Sequence, residues 1–132
     1  MAFLDSSVII DYLDGVERAV EFVDDTARLL TSSICVYEVL EGEVLGSGGT
    51  DVVGARQTFS RIEAIDFDET IALEAARMQD RLAAAGDPMP VRDLLIAASA
   101  RSTGDVLVVG DSDFDVTPLR DMMDVRGLRT DG

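Results

Sequence analysis

Apolar and polar positions along the chain follow two patterns. Short continuous apolar runs, such as AFL near the start and VLVV at 106–109, predict buried strands. Longer segments repeat apolar residues at helical spacing, as Ile71, Ala75, Met78 and Leu82 do, and predict helices that bury one face. The predicted strands are Ala2–Leu4, Arg28–Ser32, Ile62–Ile65, Asp105–Val109 and a last one near Asp124–Arg126. The predicted helices are Val8–Leu13, Val16–Asp25, Ile34–Leu45, Val52–Arg61, Thr70–Ala84, Val91–Ser102 and a short one near Pro118–Met122.

This alternation of strands and helices predicts an α/β fold with a mainly parallel central sheet flanked by helices. A glycine-rich loop at 46–50 lies between two predicted helices but is too short to separate domains, so residues 1–132 are predicted to form a single domain. Ligands of open sheets of this kind bind at the carboxyl ends of the strands. Acidic residues just after strands are therefore the first candidates for a functional site.

The charge balance is strongly acidic. The chain has 26 acidic residues against 11 basic ones, which gives a net charge of −15, and every basic residue is arginine. Self-repulsion at such a charge opposes compaction, and salt relieves it. We therefore infer adaptation to a salt-rich, halophilic cytoplasm. Taken alone, the charge argues against a nucleic-acid partner, because phosphate binding usually needs a basic surface.

The sequence also bears on location. No apolar stretch is long enough to cross a bilayer, and no basic start precedes a signal-like apolar core. The expectation is a soluble, cytoplasmic protein that does not engage a membrane. The single Cys35 cannot form an internal disulfide, which agrees with a reducing compartment.

Acidic residues from four separate segments fall at strand ends or helix starts. They are Asp5 after the first strand, Glu38 one turn inside its helix, Asp93 in the first turn of its helix, and Asp111 after the VLVVG strand with Asp113 two residues on. Each position has a plainer explanation in a helix cap, the helix dipole, a turn or an exposed helical face. Their placement on one predicted edge of the sheet favours a shared site.

Gathering carboxylates in one place costs energy. Two unit charges about 4 Å apart repel by about 4 kcal/mol at an effective dielectric near 20. Because the chain has no lysine or histidine to neutralise them, a divalent cation is the natural counter-ion, and all-oxygen ligation favours Mg²⁺ or Mn²⁺. Such a site can activate water and orient a phosphodiester for hydrolysis.

Four segments together resemble the PIN-domain nucleases, specifically the short VapC-type toxins of toxin–antitoxin systems. LDSSVIIDYL is similar to the first motif of that family and SSICVYEVLEG to the second. VRDLLIAASAR is similar to the third motif, an Asp followed by an Ile-Ala-Ala run, and LVVGDSDFD to the fourth. The fourth departs from the usual pattern at Val109 and Gly110, which leaves open whether Asp111 or Asp113 is the closer ligand.

The resemblance implies a Mg²⁺- or Mn²⁺-dependent endoribonuclease with a PIN-like fold, a homodimer, and a VapB-type antitoxin whose C-terminal segment blocks the site. Carried over onto this sequence, the metal-holding and catalytic residues are Asp5, Glu38, Asp93 and Asp111, with Asp113 as a further metal ligand. Ser7 is expected to position the phosphate or a bound water, or else to cap its helix. Arg92 is a candidate for contact with substrate phosphate or antitoxin, although a solvated arginine is the favoured interpretation of this position.

Other functions are weighed against this one. A non-catalytic PIN-like protein that binds an antitoxin or RNA, and a housekeeping RNA-processing nuclease, both remain alternatives. DFDET at 66–70 matches a phosphatase signature, but it opens a helix in mid-chain, where Asp66 or Asp68 is expected to be a helix cap. A Cys–His nucleophile is excluded because the chain has no histidine.

Overall fold

The fold is seen in a computed structural model, which describes residues 1–47, 49–110 and 114–128. The strands in this part of the chain are β1 (Ala2–Leu4), β2 (Leu29–Ser32), β3 (Glu63–Ile65), β4 (Val106–Val109) and β5 (Val125–Gly127). The helices there are α1 (Ser6–Leu13), α2 (Glu17–Asp25), α3 (Ser33–Ser47), α4 (Val52–Gln57), α5 (Glu69–Ala84), α6 (Val91–Thr103) and α7 (Thr117–Arg120).

The described strands form one five-stranded sheet in the order β3-β2-β1-β4-β5, and every pairing is parallel. β1 lies at the centre, with Ala2 opposite Leu29 of β2 on one side and Val106 of β4 on the other. The chain builds outward from β1 in one direction through β2 and β3, and later in the other through β4 and β5. The carboxyl end of β1 therefore lies at the point where the strand order reverses, the usual ligand position in such sheets.

Helices cover both faces of the sheet, and the alternation of side chains along β1 divides the core between them. Phe3 points to one face and joins a buried cluster with Met78 of α5 and Ile96 of α6. Ala2 and Leu4 point to the other face, where they pack with residues of α1, α2 and α3. The predicted α/β fold with a mainly parallel sheet is thus confirmed.

Most predicted elements are present, with ends shifted by one or two residues. The largest difference is α4, which ends at Gln57 where a helix to Arg61 was predicted. The guanidinium of Arg56 donates to the carbonyls of Phe59 and Ile62, at 2.9 and 2.8 Å, and holds residues 58–61 as a turn. Phe59 and Ile62 are fully buried, and their spacing resembles a helical face although the backbone has left the helix.

Two further expectations have a structural outcome. Asp68 is the N-cap of α5, and its carboxylate accepts a hydrogen bond from the backbone N–H of Ile71 at 2.9 Å, so the capping role expected for Asp66 or Asp68 falls to Asp68. Within the described part of the chain, every helix is too short or too polar to pass through a lipid bilayer.

Candidate metal centre

Asp5 stands at the carboxyl end of the central strand. It occupies the N-cap position of α1, yet its side chain makes no capping hydrogen bond to that helix. Asp5 as a whole residue is 2 % exposed, and its carboxylate accepts a hydrogen bond from the Ser7 hydroxyl at 2.9 Å. Its backbone N–H donates to the carbonyl of Val108, which ties it to the neighbouring strand β4. The strand end thus holds a carboxylate inward, where water is largely excluded.

Two more predicted acids lie beside Asp5. Glu38 extends from the second turn of α3, which follows β2, and its side chain is 30 % exposed. Asp93 lies in the first turn of α6, one residue beyond Arg92, and its side chain is 13 % exposed. Segments that are far apart in sequence therefore converge on one point at the edge of the sheet.

The guanidinium of Arg92 lies at the centre of this group. Its Nη2 donates to Asp5 Oδ1 at 2.8 Å and to Glu38 Oε1 at 2.7 Å, and its Nε donates to Glu38 Oε2 at 2.7 Å. Its Nη1 donates to Asp93 Oδ1 at 2.8 Å, and Nη2 also reaches the hydroxyl of Ser6 at 2.7 Å. The planar fork of arginine suits such simultaneous pairing with several carboxylates.

This position of Arg92 corrects two expectations. Arg92 is not a solvated arginine, because three carboxylates pair with it and only 34 % of its side chain is exposed. The expectation that the chain lacks a side chain to neutralise these acids is also wrong, because an arginine pairs with all three. Hydrogen bonds to Glu38 and Asp93 and the charge of Asp5 raise the pKa of Arg92, against the lowering effect of burial, so the guanidinium stays charged.

Burial dominates the electrostatics of Asp5. Removal from water raises the pKa of its carboxyl above the ordinary value, and the charge of Arg92 together with the hydrogen bonds from Ser7 and Arg92 only partly offsets this. The ionised form of Asp5 is therefore destabilised by its surroundings even with the guanidinium in place. A cation of higher charge would stabilise the ionised carboxylate further.

Cys35 contacts Asp5 from the protein interior, a feature that the sequence did not reveal. Its side chain is fully buried, and its thiol donates to Asp5 Oδ1 at 4.0 Å. Burial first, and then the negative charge of Asp5, raise the pKa of Cys35 to about 12, so the sulfur remains a thiol. Protonated sulfur is a poor ligand for hard cations, which leaves the carboxylate oxygens as the donors.

Ser7 links Asp5 to the end of β4. Its hydroxyl donates to Asp5 Oδ2 and accepts the backbone N–H of Gly110 at 3.0 Å. Gly110 lies so close that a Cβ there would stand 3.2 Å from the Ser7 oxygen. Ser7 lies inside α1 and does not act as its cap, so its contacts hold Asp5 and the strand end together.

The donor set suits a divalent cation. One carboxylate oxygen each from Asp5 and Glu38 and the sulfur of Cys35 all lie within 4.8 Å of one another. Asp93 shares Arg92 with them. Hard oxygen donors of this kind are those that Mg²⁺ and Mn²⁺ prefer. The other predicted ligands, Asp111 and Asp113, lie outside the described residues.

Comparison with known proteins agrees with this geometry. The family model for the PIN domain matches residues 2–118, and the chain belongs to that family. The chain is 28 % identical over 106 residues to the tRNA(fMet)-specific endonuclease VapC of Salmonella typhimurium, across 80 % of this chain and 75 % of that protein. The resemblance to VapC-type PIN domains that was drawn from the four motifs is confirmed.

Solved structures show the same likeness. The DNA-bound VapBC complex of Salmonella typhimurium contains a chain with a TM-score of 0.80 and 25 % identity, covering 96 % of this chain and 97 % of that one. VapBC-5 of Mycobacterium tuberculosis gives a TM-score of 0.69 at 27 % identity, with coverage of 96 % and 98 %. VapBC-1 of nontypeable Haemophilus influenzae matches with a TM-score of 0.78 at 21 % identity over 96 % and 97 %, which is a likeness of fold.

Proposed function

We propose that the protein is a Mg²⁺- or Mn²⁺-dependent endoribonuclease of the VapC type. The observation that carries this proposal is the convergence of Asp5, Glu38 and Asp93 at the carboxyl end of the central strand. Three separate elements place carboxylates there in a chain whose relatives include a VapC endonuclease. A purely structural ion pair does not need three acids around one cation, because one carboxylate balances the charge of one arginine.

The residues that would hold the ion are Asp5, Glu38, Asp93 and Asp111, with Asp113 as a further candidate. A bound Mg²⁺ or Mn²⁺ supplies the Lewis acidity that phosphodiester hydrolysis by water requires. Asp5 is aimed by its hydrogen bonds to Ser7 and to the backbone of β4. The buried thiol of Cys35 keeps water away from the inner side of that carboxylate.

Ser7 and Arg92 are the proposed substrate-positioning residues. Ser7 holds Asp5 and the end of β4 at a fixed separation through its two hydrogen bonds. Arg92 is the cationic side chain that the structure places among the three acids, and a guanidinium binds phosphate oxygens well. The metal and this single arginine can act locally on the scissile phosphate without an extended basic surface.

A VapB-type antitoxin is the proposed partner, since the structural relatives come from VapBC complexes. A groove between α1 and α3 is lined by Ile10, Leu13 and Val39, and Leu45 of α3 is 79 % exposed. Val39 is buried at the base of the groove, and the exposed apolar side chains of Ile10 and Leu45 suit an amphipathic helix of a partner. We propose in addition that the protein forms a homodimer, as VapC-type proteins do, and acts in the cytoplasm.

Metal-dependent cleavage tests the proposal directly. Purified protein is expected to cut RNA when Mn²⁺ or Mg²⁺ is present and to stop when EDTA is added, as followed on a fluorescent RNA by gel electrophoresis. Restoring Mn²⁺ in excess of the chelator should restore cutting. Cleavage that persists in EDTA would refute the metal mechanism, and RNA binding without cleavage under any metal would favour the non-catalytic alternative.

Asp93→Asn tests whether the assembled acids are the site. The variant should lose more than about 100-fold in cleavage rate, because even outer partners of metal ligands often contribute 10–100-fold. Asp87→Asn is the matched control, since Asp87 is an exposed acid on the loop before α6. Circular dichroism should show both variants folded. Full activity in Asp93→Asn would contradict the site.

We also propose that the acidic surface is an adaptation to high salt. With a net charge of −15, the folded chain repels itself in dilute buffer, and salt screens that repulsion. The free energy of unfolding in urea should therefore rise from low to multimolar KCl. Equal stability at both salt concentrations would contradict the adaptation.

A further inference from the structure

One arginine donates hydrogen bonds to the carboxylate oxygens of three proposed metal ligands. Arg92 forms a bidentate pair with both oxygens of Glu38, and it reaches one oxygen each of Asp5 and Asp93. The same Asp5 and Glu38 carboxylates form the cluster that suits a cation. The guanidinium is thus an internal cation that lies where a divalent ion would bind.

We propose that Arg92 sets the affinity of this centre for its divalent ion, because the guanidinium and the ion compete for the same carboxylate oxygens. The inference rests on the metal-dependent function proposed above and adds a determinant that the four acids do not supply. The ion gains its ligands only as Arg92 leaves them. Arg92 therefore weakens metal binding and at the same time neutralises the acids while they have no ion.

The competition follows from lone pairs and from charge. Each carboxylate oxygen that accepts a short N–H bond from Arg92 directs a lone pair at the guanidinium, which leaves fewer lone pairs for coordination of an ion. A divalent cation also repels a guanidinium at close range. Both effects favour one cation or the other at Asp5 and Glu38.

The place of Arg92 allows it to move. Arg92 is the second residue of α6, so the helix fixes its backbone while its long side chain remains free to turn. The side chain is 34 % exposed, whereas that of Asp5 is 3 % exposed. The guanidinium therefore has an outward route to solvent, and Asp5 stays in place as the ligand.

Mn²⁺ binding in the absence of RNA measures this competition. Isothermal titration calorimetry on the folded full chain should give Arg92→Gln an affinity for Mn²⁺ at least about 10-fold tighter than wild type, a difference of about 1.4 kcal/mol in binding free energy. The matched control is Arg101→Gln. Arg101 lies on the same helix, has a 33 % exposed side chain and pairs with Glu74 away from the centre, so its loss changes the net charge equally. Its Mn²⁺ affinity should match wild type.

Thermal unfolding gives a second readout that a merely structural arginine would not produce. In EDTA, Arg92→Gln should unfold at a lower temperature than wild type, because three carboxylates have lost their cation. Saturating Mn²⁺ should then raise its midpoint by more than it raises that of wild type. Arg92→Lys, which keeps the charge but lacks the planar fork, should bind Mn²⁺ with an intermediate affinity and supplies the comparison if Arg92→Gln does not fold.

The outcomes separate the two proposals. Equal or weaker Mn²⁺ affinity in Arg92→Gln, or in Arg92→Lys if only that variant folds, overturns the role of Arg92 even if wild type cleaves RNA with Mn²⁺. A tightening of the same size in Arg101→Gln also overturns it, because the effect would then be one of net charge. Wild-type cleavage that continues in EDTA overturns the metal mechanism, whereas tighter Mn²⁺ binding in Arg92→Gln supports the competition.

Discussion

Two aspartates of this protein occupy the same kind of position and behave differently. Asp5 follows β1 and is the N-cap of α1, and Asp68 lies between β3 and α5 and is the N-cap of α5. Asp68 is exposed and caps its helix through Ile71, as an N-cap aspartate normally does. Asp5 is buried and does not cap. Its carboxylate is bound to Ser7 and Arg92.

The difference arises from the neighbours that the fold brings to each residue. Asp68 lies at the edge strand β3, where its helix is the main partner available. Asp5 lies at the central strand, where α3 and α6 both deliver side chains to it. Strand order, and not the local sequence around each aspartate, therefore separates a candidate catalytic acid from a helix cap.

The largest expected difference between the two aspartates is in the rate of RNA cleavage after each one is replaced by asparagine. If Asp5 holds the ion as proposed, Asp5→Asn should reduce metal-dependent RNA cleavage by more than about 100-fold, because even outer partners of metal ligands contribute 10–100-fold. Asp68→Asn should cleave at the wild-type rate. The two variants have the same net charge, so initial rates on one RNA compare the positions alone, and equal rates would contradict the role of Asp5.

Ser7 is a partner that Asp5 has and Asp68 lacks. Ser7→Ala should reduce cleavage by about 10-fold, at the lower end of the effect expected of a residue that orients a ligand, because Asp5 and Gly110 lose their shared hydrogen bond. Thr58→Ala removes an exposed hydroxyl that donates to the nearby carbonyl of Ala55, far from the acids in sequence, and should leave the rate unchanged. A Ser7→Ala rate equal to wild type would mean that Asp5 is held without it.

In EDTA, substitution of Asp68 and substitution of Asp5 should change the free energy of unfolding in opposite directions. Asp68→Ala should lose about 1 kcal/mol of unfolding free energy, the usual cost of losing an N-cap. Asp5→Asn should gain stability at neutral pH, because the raised pKa of Asp5 means that ionising it opposes folding. Urea unfolding measures both. A loss of stability in Asp5→Asn at neutral pH would show that the pairing with Arg92 outweighs burial.

The pH dependence of that gain has a definite sign. An acid with a raised pKa in the folded state destabilises the fold as pH rises from its ordinary value of 3.8 through the raised value. The advantage of Asp5→Asn should thus be complete above the raised pKa and shrink as pH falls toward 3.8. Asp68→Ala provides the comparison, and an advantage that does not depend on pH would rule out the titration of Asp5 as its cause.

The sequence predicted the fold well because local patterns determine it. The runs AFL and VLVV are short and continuously apolar, as buried strands are. A spacing of three or four residues, by contrast, indicates one buried face of a helix at Ile71, Ala75, Met78 and Leu82. The end of α4 escaped prediction, since the turn at 58–61 depends on Arg56 reaching two carbonyls, and side-chain spacing alone does not encode that contact.

The sequence pointed to Asp5, Glu38 and Asp93, which the structure brings together, but it did not predict the arginine among them. Asp5 and Glu38 follow β1 and β2, whose carboxyl ends lie together because the strands are parallel, and Asp93 lies beside them at the start of α6. Arg92 was seen only as the neighbour of Asp93. Its central place depends on the direction of a long side chain from the start of α6, which sequence spacing does not give. The pair Arg92–Asp93, separated from Pro90 only by Val91, was the available signal.

The thiol beneath the site offers a practical handle. Cys35 is the sole sulfhydryl of the chain and is fully buried against Asp5. An alkylating reagent can reach Cys35 only when α3 and the end of β1 separate. The rate of modification therefore reports how often these two elements separate. Because the sequence has one cysteine, mass spectrometry after alkylation can follow local opening of this candidate metal centre at a single position.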